Sequence, residues 1–130
     1  MKAEEHLAAF QEHKEGMFEW ALEIKGLDKS QRIVGTHAAR GIVELLSALL
    51  HELGKIDPGS QINHRWFKSG SSGERLPEFP KKDMIVKKLV ELETLSENLT
   101  YGSQKPREEI EKTVKLFEEL ENIISGLMKK

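Results

Sequence analysis

The most extended apolar pattern in the chain lies between Arg32 and Leu53. Placed on a helix at 100° per residue, its apolar side chains cover about half of the circumference. That arc is wider than the roughly 100° stripe of an ordinary surface helix. The pattern therefore predicts a central helix that touches more than one neighbour, either two helices of its own chain or one helix and a second subunit. The arc contains Val34, Ala38, Ile42, Leu45, Leu49 and Leu53, and it is widened by Val43, Leu46 and Leu50.

Three further segments have helical periodicity, and none alternates with a period of two for long enough to predict a strand. The predicted helices cover about residues 2–25, 80–100 and 106–127. Their apolar stripes are Leu7, Phe10, Met17, Ala21 and Ile24; Ile85, Leu89, Leu92, Leu95 or Ser96, and Leu99; and Ile110, Val114, Phe117, Leu120, Ile124 and Leu127.

The connections between the helices are of two kinds. A short turn at Gly26 predicts that the first two helices are antiparallel, with Asp28 and Gln31 forming a capping box at the start of the central helix. Residues 55–79 are too long for a plain connector, and Gln61–Lys68 is predicted as a short helix. We therefore expect one all-α domain over residues 1–130, an up-and-down four-helix bundle with a long loop or short extra helix between helices 2 and 3. Because the central helix has more apolar surface than its own bundle is expected to cover, we also predict a homodimer.

Composition narrows the classes of function. The chain has 20 Lys and Arg residues against 22 Asp and Glu, which excludes a generally basic nucleic-acid-binding surface but leaves a local basic patch open. It has no cysteine, which excludes disulfides and thiolate metal sites. The sequence contains no uninterrupted apolar run of about 18 residues, so we predict no membrane span. These features favour a cytoplasmic protein without membrane attachment.

Polar residues of the central helix form the first candidate site. They occupy one narrow face, where Arg40 and Glu44 have the i, i+4 spacing of an ion pair. This face is either an anion or nucleotide contact at the bundle edge or at a dimer interface, or a solvated helix surface. Its members are His37, Arg40, Glu44, Ser47 and His51.

A second candidate lies in the long connection, where His64, Arg65, Trp66, Phe67 and Lys68 alternate cationic and aromatic character. Such a set can stack a base and hold a phosphate. The alternative is that the two aromatic residues fold back to cap the open end of the core. An aromatic plug with a basic rim is a third interpretation.

Metal, cofactor and nucleophile motifs are absent from the sequence. His6 and His13 stand seven residues apart, about 10 Å along a helix, which is too far for one ion. No glycine-rich phosphate loop occurs, and Ser47 and His51 have no third group for a triad. We therefore expect no metal, no cofactor and no catalytic residue of these kinds.

Two segments carry a family resemblance. HAARGIVELLSALLHELGKI (residues 37–56) and LETLSENLTYGSQKPREEIEKTVKLFEELENII (residues 92–124) resemble the HEPN family, the higher eukaryotes and prokaryotes nucleotide-binding domains. The resemblance implies a helical bundle, often a homodimer. It also implies that the gene often lies beside one for a minimal nucleotidyltransferase. In such pairs the HEPN protein is the toxin or the substrate-binding partner.

Active HEPN members cleave RNA with an Arg-x4–6-His motif that is often followed by x-Tyr. Tyr101 matches the tyrosine, which in some systems accepts a nucleotidyl group from the partner enzyme. Thr94 and Leu99 occupy the positions of the arginine and the histidine, and neither carries a cation or moves protons at neutral pH. The spacing does occur at Arg32 and His37, but these side chains point about 140° apart on a helix.

The sequence therefore predicts a binding module without ribonuclease activity that engages a nucleotidyltransferase, a nucleotide or RNA. One alternative is a metal-independent ribonuclease with a relocated site built from Arg32, His37, Arg40 or His64. Another is a purely structural dimeric bundle. The predicted binding residues are His37, Arg40, His64, Arg65, Trp66 and Tyr101.

Overall fold

A computed structural model describes residues 2–23, 25–57, 59–68, 70–101 and 103–128. Over these ranges the chain is helical and contains no strand, so the prediction of an all-α four-helix bundle is confirmed. The four α-helices are α1 (Ala3–Glu15), α2 (Gln31–Glu52), α3 (Lys82–Thr100) and α4 (Arg107–Leu127).

The first helix departs from the predicted continuous helix. The α-helical part ends at Glu15, and Gly16–Glu23 forms a π-helix, which has more than four residues per turn. Leu7 of the predicted stripe is 37% exposed, whereas His6 is only 2% exposed. The face of α1 that packs against the bundle includes two histidines, which the predicted apolar stripe does not contain. This face contains His6 and Phe10, which are buried, and His13, which is half-buried, and it continues at Met17, which is buried in the π-helix. Ile24 of the predicted stripe lies outside the described residues.

Helix α2 is the centre of the core. It ends within one residue of the predicted end but begins three residues after the predicted start at Asp28, and it packs against α1, α3 and α4 of the same chain. Val34, Leu46 and Leu50 are fully buried. The helix is long and apolar enough to cross a membrane by length and composition, but most of it is buried inside the bundle, as expected of a core helix.

This burial removes the reason for predicting a homodimer. The prediction assumed that the apolar arc of α2 exceeds what one chain can cover. Within the described residues, the large apolar side chains that are exposed are Leu7, Met84 and Tyr101, none of which belongs to α2. Dimerisation stays a prediction, but the argument from α2 is wrong because three helices of the same chain cover its arc.

Helix α2 begins without the predicted capping box. Asp28 lies in a 3-10 turn, Leu27–Lys29, that precedes the helix. The residue before the first helical turn is Ser30, whose Oγ donates a hydrogen bond of 2.6 Å to the carbonyl of Gly26. The hydroxyl of Ser30 therefore bonds within the turn, and the side chain of Gln31 contacts other elements instead of capping the helix.

Gln31 holds the connection between α3 and α4. Its side chain is buried, and its Nε2 donates to the carbonyl oxygens of Leu99 (3.3 Å) and Ser103 (3.1 Å). Its Oε1 accepts a hydrogen bond of 2.7 Å from the backbone N–H of Lys105. One amide therefore fixes both sides of the segment that carries Tyr101.

Two glycines of α2 allow the helices to approach closely. A Cβ atom at Gly35 would lie 2.7 Å from the backbone nitrogen of Thr100, and one at Gly41 would lie 3.0 Å from Cβ of His13. The N–H of Ala39 also donates to Oγ of Ser96, at 3.2 Å. The contacts of Gly35 and Ala39 join the start of α2 to the end of α3, so these two helices are antiparallel, whereas the contact of Gly41 joins α2 to α1.

The long connection is part of the core rather than a free loop. It contains two 3-10 segments, His64–Lys68 and Gly70–Arg75, and the first replaces the predicted short helix Gln61–Lys68. Phe67 is fully buried and Phe79 is 8% exposed. The connection therefore packs Phe67 and Phe79 onto the bundle. Its first 3-10 segment, which carries Arg65 and Lys68, lies beside α2 and α3.

Candidate functional site

The polar face of α2 lies against other elements of the chain, and only Arg40 among its five residues is exposed. Two histidines of α1 and His64 of the first 3-10 segment cover it. The interpretation as a solvated helix surface is therefore wrong for the other four. All five histidines of the sequence meet along this one face: His6, His13, His37, His51 and His64.

His13 and His37 form the pair nearest the start of α2. Their Nδ1 atoms are 2.9 Å apart, so one ring donates a hydrogen bond and the other accepts it. Burial lowers the pKa of both imidazoles; the neighbouring His37 lowers that of His13 further, and Arg40 lowers that of His37 further. This hydrogen bond between His13 and His37 requires at least one of the two rings to be neutral, because a protonated ring has no acceptor nitrogen.

His6 and His51 form a second pair at the other end of α2. Nδ1 of His6 lies 2.7 Å from Oε2 of Glu44, and the two imidazole rings stack with their centres 4.9 Å apart. Burial lowers the pKa of His51, with His6 the next contribution in the same direction. Glu44 therefore pairs with His6, and the predicted ion pair between Arg40 and Glu44 does not form within the described part of the chain.

The centre of the site is a chain of hydrogen bonds from α2 to α3. Nε of Arg40 lies 3.3 Å from Nε2 of His64, and Nδ1 of His64 lies 3.0 Å from Oε1 of Glu93. A carboxylate accepts hydrogen bonds, so Nδ1 carries the hydrogen and Nε2 accepts from the guanidinium. Glu93, only 4% exposed, thus fixes the tautomer and orientation of His64.

Two clefts flank this chain of hydrogen bonds. Cleft A lies between α2, α3 and the first 3-10 segment, and it reaches Lys68 and Tyr101. Cleft B lies on the other side, where it reaches His13 and Trp66. Three residues line both clefts and are called the basic ridge: Arg40, His64 and Arg65.

The basic ridge contains two guanidiniums, while Glu93 and Glu97 also line cleft A and Glu44 lines cleft B. Arg40 and Arg65 are exposed, and neither guanidinium forms an ion pair with a carboxylate among the residues that the structure describes. Lys68, in contrast, pairs with Glu97 at 3.3 Å on the wall of cleft A. Two guanidiniums are therefore available to an anionic ligand.

Each cleft has one aromatic residue. Tyr101 is 66% exposed at the edge of cleft A. Trp66 is half-buried in cleft B, with the guanidinium carbon of Arg75 5.4 Å from its ring centre. Phe67 is the residue that closes the core, so the arrangement matches the third interpretation, an aromatic plug with a basic rim.

The structure brings together five of the six predicted binding residues. Arg40, His64, Arg65 and Tyr101 line cleft A, and Trp66 joins the basic ridge in cleft B. The sixth, His37, lines neither cleft and turns toward His13 instead.

Arg32 and His37, the pair with the Arg-x4-His spacing, remain apart. Nη1 of Arg32 donates to the carbonyl of Thr100 at 2.8 Å, on the side of α2 that faces α3. His37 contacts α1. The relocated ribonuclease site therefore retains Arg40 and His64 as its candidates.

Glu93 is the main residue that the sequence analysis missed. It stands four residues after Leu89 and one after Leu92, so it falls on the buried face of α3. A charged residue at such a position signals a paired partner in the core, because buried carboxylates are rarely left unpaired. The partner itself, His64, comes from another element, and the sequence gives no indication of it.

Comparisons with known proteins identified no family model, no curated protein and no solved structure that matches this chain. The HEPN resemblance is thus a prediction that rests on the quoted segments, and Gly102 of the Tyr-Gly turn lies outside the described residues. Among the described residues, no group of three histidine, aspartate or glutamate side chains is arranged to hold a metal ion.

Proposed function

We propose that the protein is a HEPN-like binding module that binds the phosphate of a nucleotide or RNA on the basic ridge. The observation that carries the proposal is the pair of exposed guanidiniums, Arg40 and Arg65, without carboxylate partners in the described chain. A guanidinium presents a planar fork of donors that matches two phosphate oxygens. A hydrogen bond to His64 holds the fork of Arg40 in place.

The partner part of the proposal rests on the resemblance. The HEPN-like segments at residues 37–56 and 92–124 suggest a minimal nucleotidyltransferase as the protein partner. Tyr101, exposed at the edge of cleft A, is accessible to such an enzyme as an acceptor of nucleotidyl groups. A homodimer belongs to the same proposal, although α2 no longer supports it.

Calorimetric titration with UMP and AMP tests the phosphate site. A hydrogen bond to a charged group contributes about 1.5–3 kcal/mol, so Arg40→Ala and Arg65→Ala are each expected to weaken binding by about tenfold or more. Arg107→Gln is the matched control, because Arg107 pairs with Glu111 on α4 and lines neither cleft. Equal affinity in all variants would place the nucleotide away from the basic ridge and contradict the proposed site. No heat of binding at millimolar nucleotide would favour the structural role.

A second candidate function is metal-independent cleavage of RNA, and the Glu93–His64–Arg40 chain is the observation that favours it. Nε2 of His64, once released by Arg40, takes the proton of a ribose 2′-hydroxyl, whose oxygen attacks the neighbouring phosphorus. Arg40 compensates the charge that develops on the phosphate oxygens. The 5′-oxygen leaves with a proton from water, and the product ends in a 2′,3′-cyclic phosphate.

Incubation of the protein with RNA in the presence of EDTA separates the two functions. The second function predicts cleavage that His64→Ala abolishes and that spares DNA, which lacks the 2′-hydroxyl. Binding of RNA without cleavage supports the first function. Cleavage that is unchanged in His64→Ala contradicts the mechanism through His64.

A further inference from the structure

We infer that the two clefts hold successive nucleotides of a single-stranded nucleic acid, with one base in each cleft and the linking phosphate on the basic ridge. The inference rests on the proposed phosphate site and specifies its ligand. It predicts a ligand of at least two nucleotides, whereas the proposed function alone is satisfied by a mononucleotide.

The position of the charge is the first argument. Arg40, His64 and Arg65 line both clefts, so a group bound to them has open space on either side. A phosphodiester is such a group, because it carries one negative charge and joins two nucleosides. A terminal phosphate on the same ridge would leave one of the two clefts without a nucleoside.

The aromatic residues are the second argument. Tyr101 stands 66% exposed at the edge of cleft A, and Trp66 lies in cleft B with Arg75 near its ring. A base that stacks on an aromatic side chain gains about 1–3 kcal/mol, and every base offers a face for this contact. The order aromatic, cation, aromatic therefore follows the order base, phosphate, base.

The placement of the clefts also distinguishes a single strand from a duplex. Bases in a duplex are stacked on one another, and neither of two neighbours is free to enter a separate pocket. The wall between the clefts comes from the side chains of α2 and the first 3-10 segment, so bases on its two sides are splayed apart. Only an unpaired segment meets this requirement without paying for the loss of pairing and stacking.

Length dependence of binding is the first test. UMP, the dinucleotide UpU, the tetranucleotide U4, the DNA tetranucleotide dT4 and a 12-base-pair duplex are each titrated into the protein at fixed salt. The fluorescence of Trp66 is followed in a Trp20→Phe background, which leaves one tryptophan. We expect UpU to bind at least tenfold more tightly than UMP, U4 to bind at least as tightly as UpU, and the duplex to bind at least tenfold more weakly than U4.

The outcomes separate this inference from the proposed function. If UMP binds and UpU binds no better, the two-cleft inference is wrong while the phosphate site stands. If neither UMP nor U4 binds, both are wrong. Duplex binding equal to that of U4 also overturns the inference. Stronger binding of U4 or of dT4 identifies RNA or DNA as the natural strand, and either result supports the single-strand assignment.

Substitution of Tyr101 tests the base contact itself. Because Tyr101 is exposed, Tyr101→Ala is expected to fold, and its unfolding transition checks this. We expect it to weaken U4 binding at least fivefold, whereas Tyr101→Phe keeps a stacking ring and retains the affinity. Equal loss in both variants assigns the effect to the hydroxyl, and no loss in either removes the base from cleft A; both results contradict the inference.

Discussion

At the scale of single residues, the centre of the site depends on a carboxylate that the fold has removed from water. Glu93 is 4% exposed, and His64 is its hydrogen-bond partner. A buried charged group that loses its partner keeps the full cost of its desolvation. The two residues are therefore coupled energetically, although they come from separate elements.

We predict that His64→Ala lowers the free energy of unfolding by about 1–3 kcal/mol, because it leaves Glu93 buried without this partner. In a Glu93→Gln background the same substitution is expected to cost less, since a neutral amide is cheaper to bury. Urea denaturation of the wild type, both single variants and the double variant measures this coupling. Additive effects would contradict it.

The sequence predicted residue types at this scale but not their pairing. Arg40 and Glu44 have the spacing of an ion pair, yet Glu44 contacts His6 and Arg40 contacts His64. Spacing on one helix describes only local neighbours. The preferred partners come from α1 and from the long connection, where they are brought in by tertiary packing.

The His13–His37 pair predicts a loss of stability in acid. Both histidines have a pKa below 6.5 in the folded protein, mainly because they are buried. As the pH falls below 6.5, the unfolded chain takes up protons before the folded chain does, so the free energy of unfolding decreases. Well above pH 6.5 both states are neutral at these positions, and the pair then adds no pH dependence.

Urea denaturation between pH 7.5 and pH 5 measures this slope. We expect His37→Gln to reduce it, because one titrating ring is lost and His13 no longer faces a second imidazole. Arg107→Gln, on α4, serves as the control that leaves the slope unchanged. A slope that is the same in wild type and His37→Gln would assign the acid sensitivity to other groups.

At the scale of elements, the contact between α2 and α3 is set by the absence of a side chain. Gly35 lets the backbone of Thr100 approach to a distance at which a Cβ atom cannot be accommodated. Glycine inside a helix costs about 0.5–1 kcal/mol of stability relative to alanine. The close packing of α2 on α3 offsets this cost at Gly35. The glycine also lines cleft A.

We predict that Gly35→Ala destabilises the protein by about 1–3 kcal/mol, the usual cost of overpacking a tight interface. Gly126→Ala is the matched control, because a Cβ atom at this helical glycine of α4 would meet no packing neighbour within 4 Å among the described residues. The control is expected to be neutral or to stabilise by up to about 1 kcal/mol. Thermal unfolding of both variants provides the comparison, and a neutral Gly35→Ala would refute the close-approach argument.

The bounds of α3 and α4 and the end of α2 follow from the sequence because the periodicity is uninterrupted, and each lies within two residues of the observed one. The predicted start of α2 at Asp28 is three residues too early, because Leu27–Lys29 forms a 3-10 turn. The π-helix Gly16–Glu23 does not follow from the sequence. A Cβ atom at Gly16 would lie 3.1 Å from Nε2 of His37, so the path of this segment is adjusted to a residue of α2. Periodicity along one segment contains no information about that contact.

At the scale of the whole molecule, one chain encloses its own central helix. Three helices cover the apolar arc of α2, and Leu46 is fully buried at its middle. The residues of the candidate site come from three separate stretches of the sequence, at position 40, positions 64–66 and position 101. The sequence named these residues, but it could not show that they share two clefts, since folding of the connection onto α2 and α3 brings them together.

We predict that Leu46→Ala lowers the free energy of unfolding by about 2–5 kcal/mol, as for other fully buried leucines. The same substitution is expected to leave the mass measured by sedimentation unchanged, whether the protein is a monomer or a dimer. Leu7→Ala, at an exposed position, is the control for stability. Dissociation of a dimer by Leu46→Ala would place α2 at a subunit interface and contradict the enclosed arrangement.

The amide of Gln31 cannot be exchanged for a carboxylate without loss of hydrogen bonds. It donates to two carbonyl groups and accepts from one N–H, a combination that a carboxylate does not offer. Hydrolysis of the amide to glutamate would set a negative charge against the carbonyls of Leu99 and Ser103. A negative charge at this position would therefore weaken the contacts that hold the segment carrying Tyr101 at the edge of cleft A.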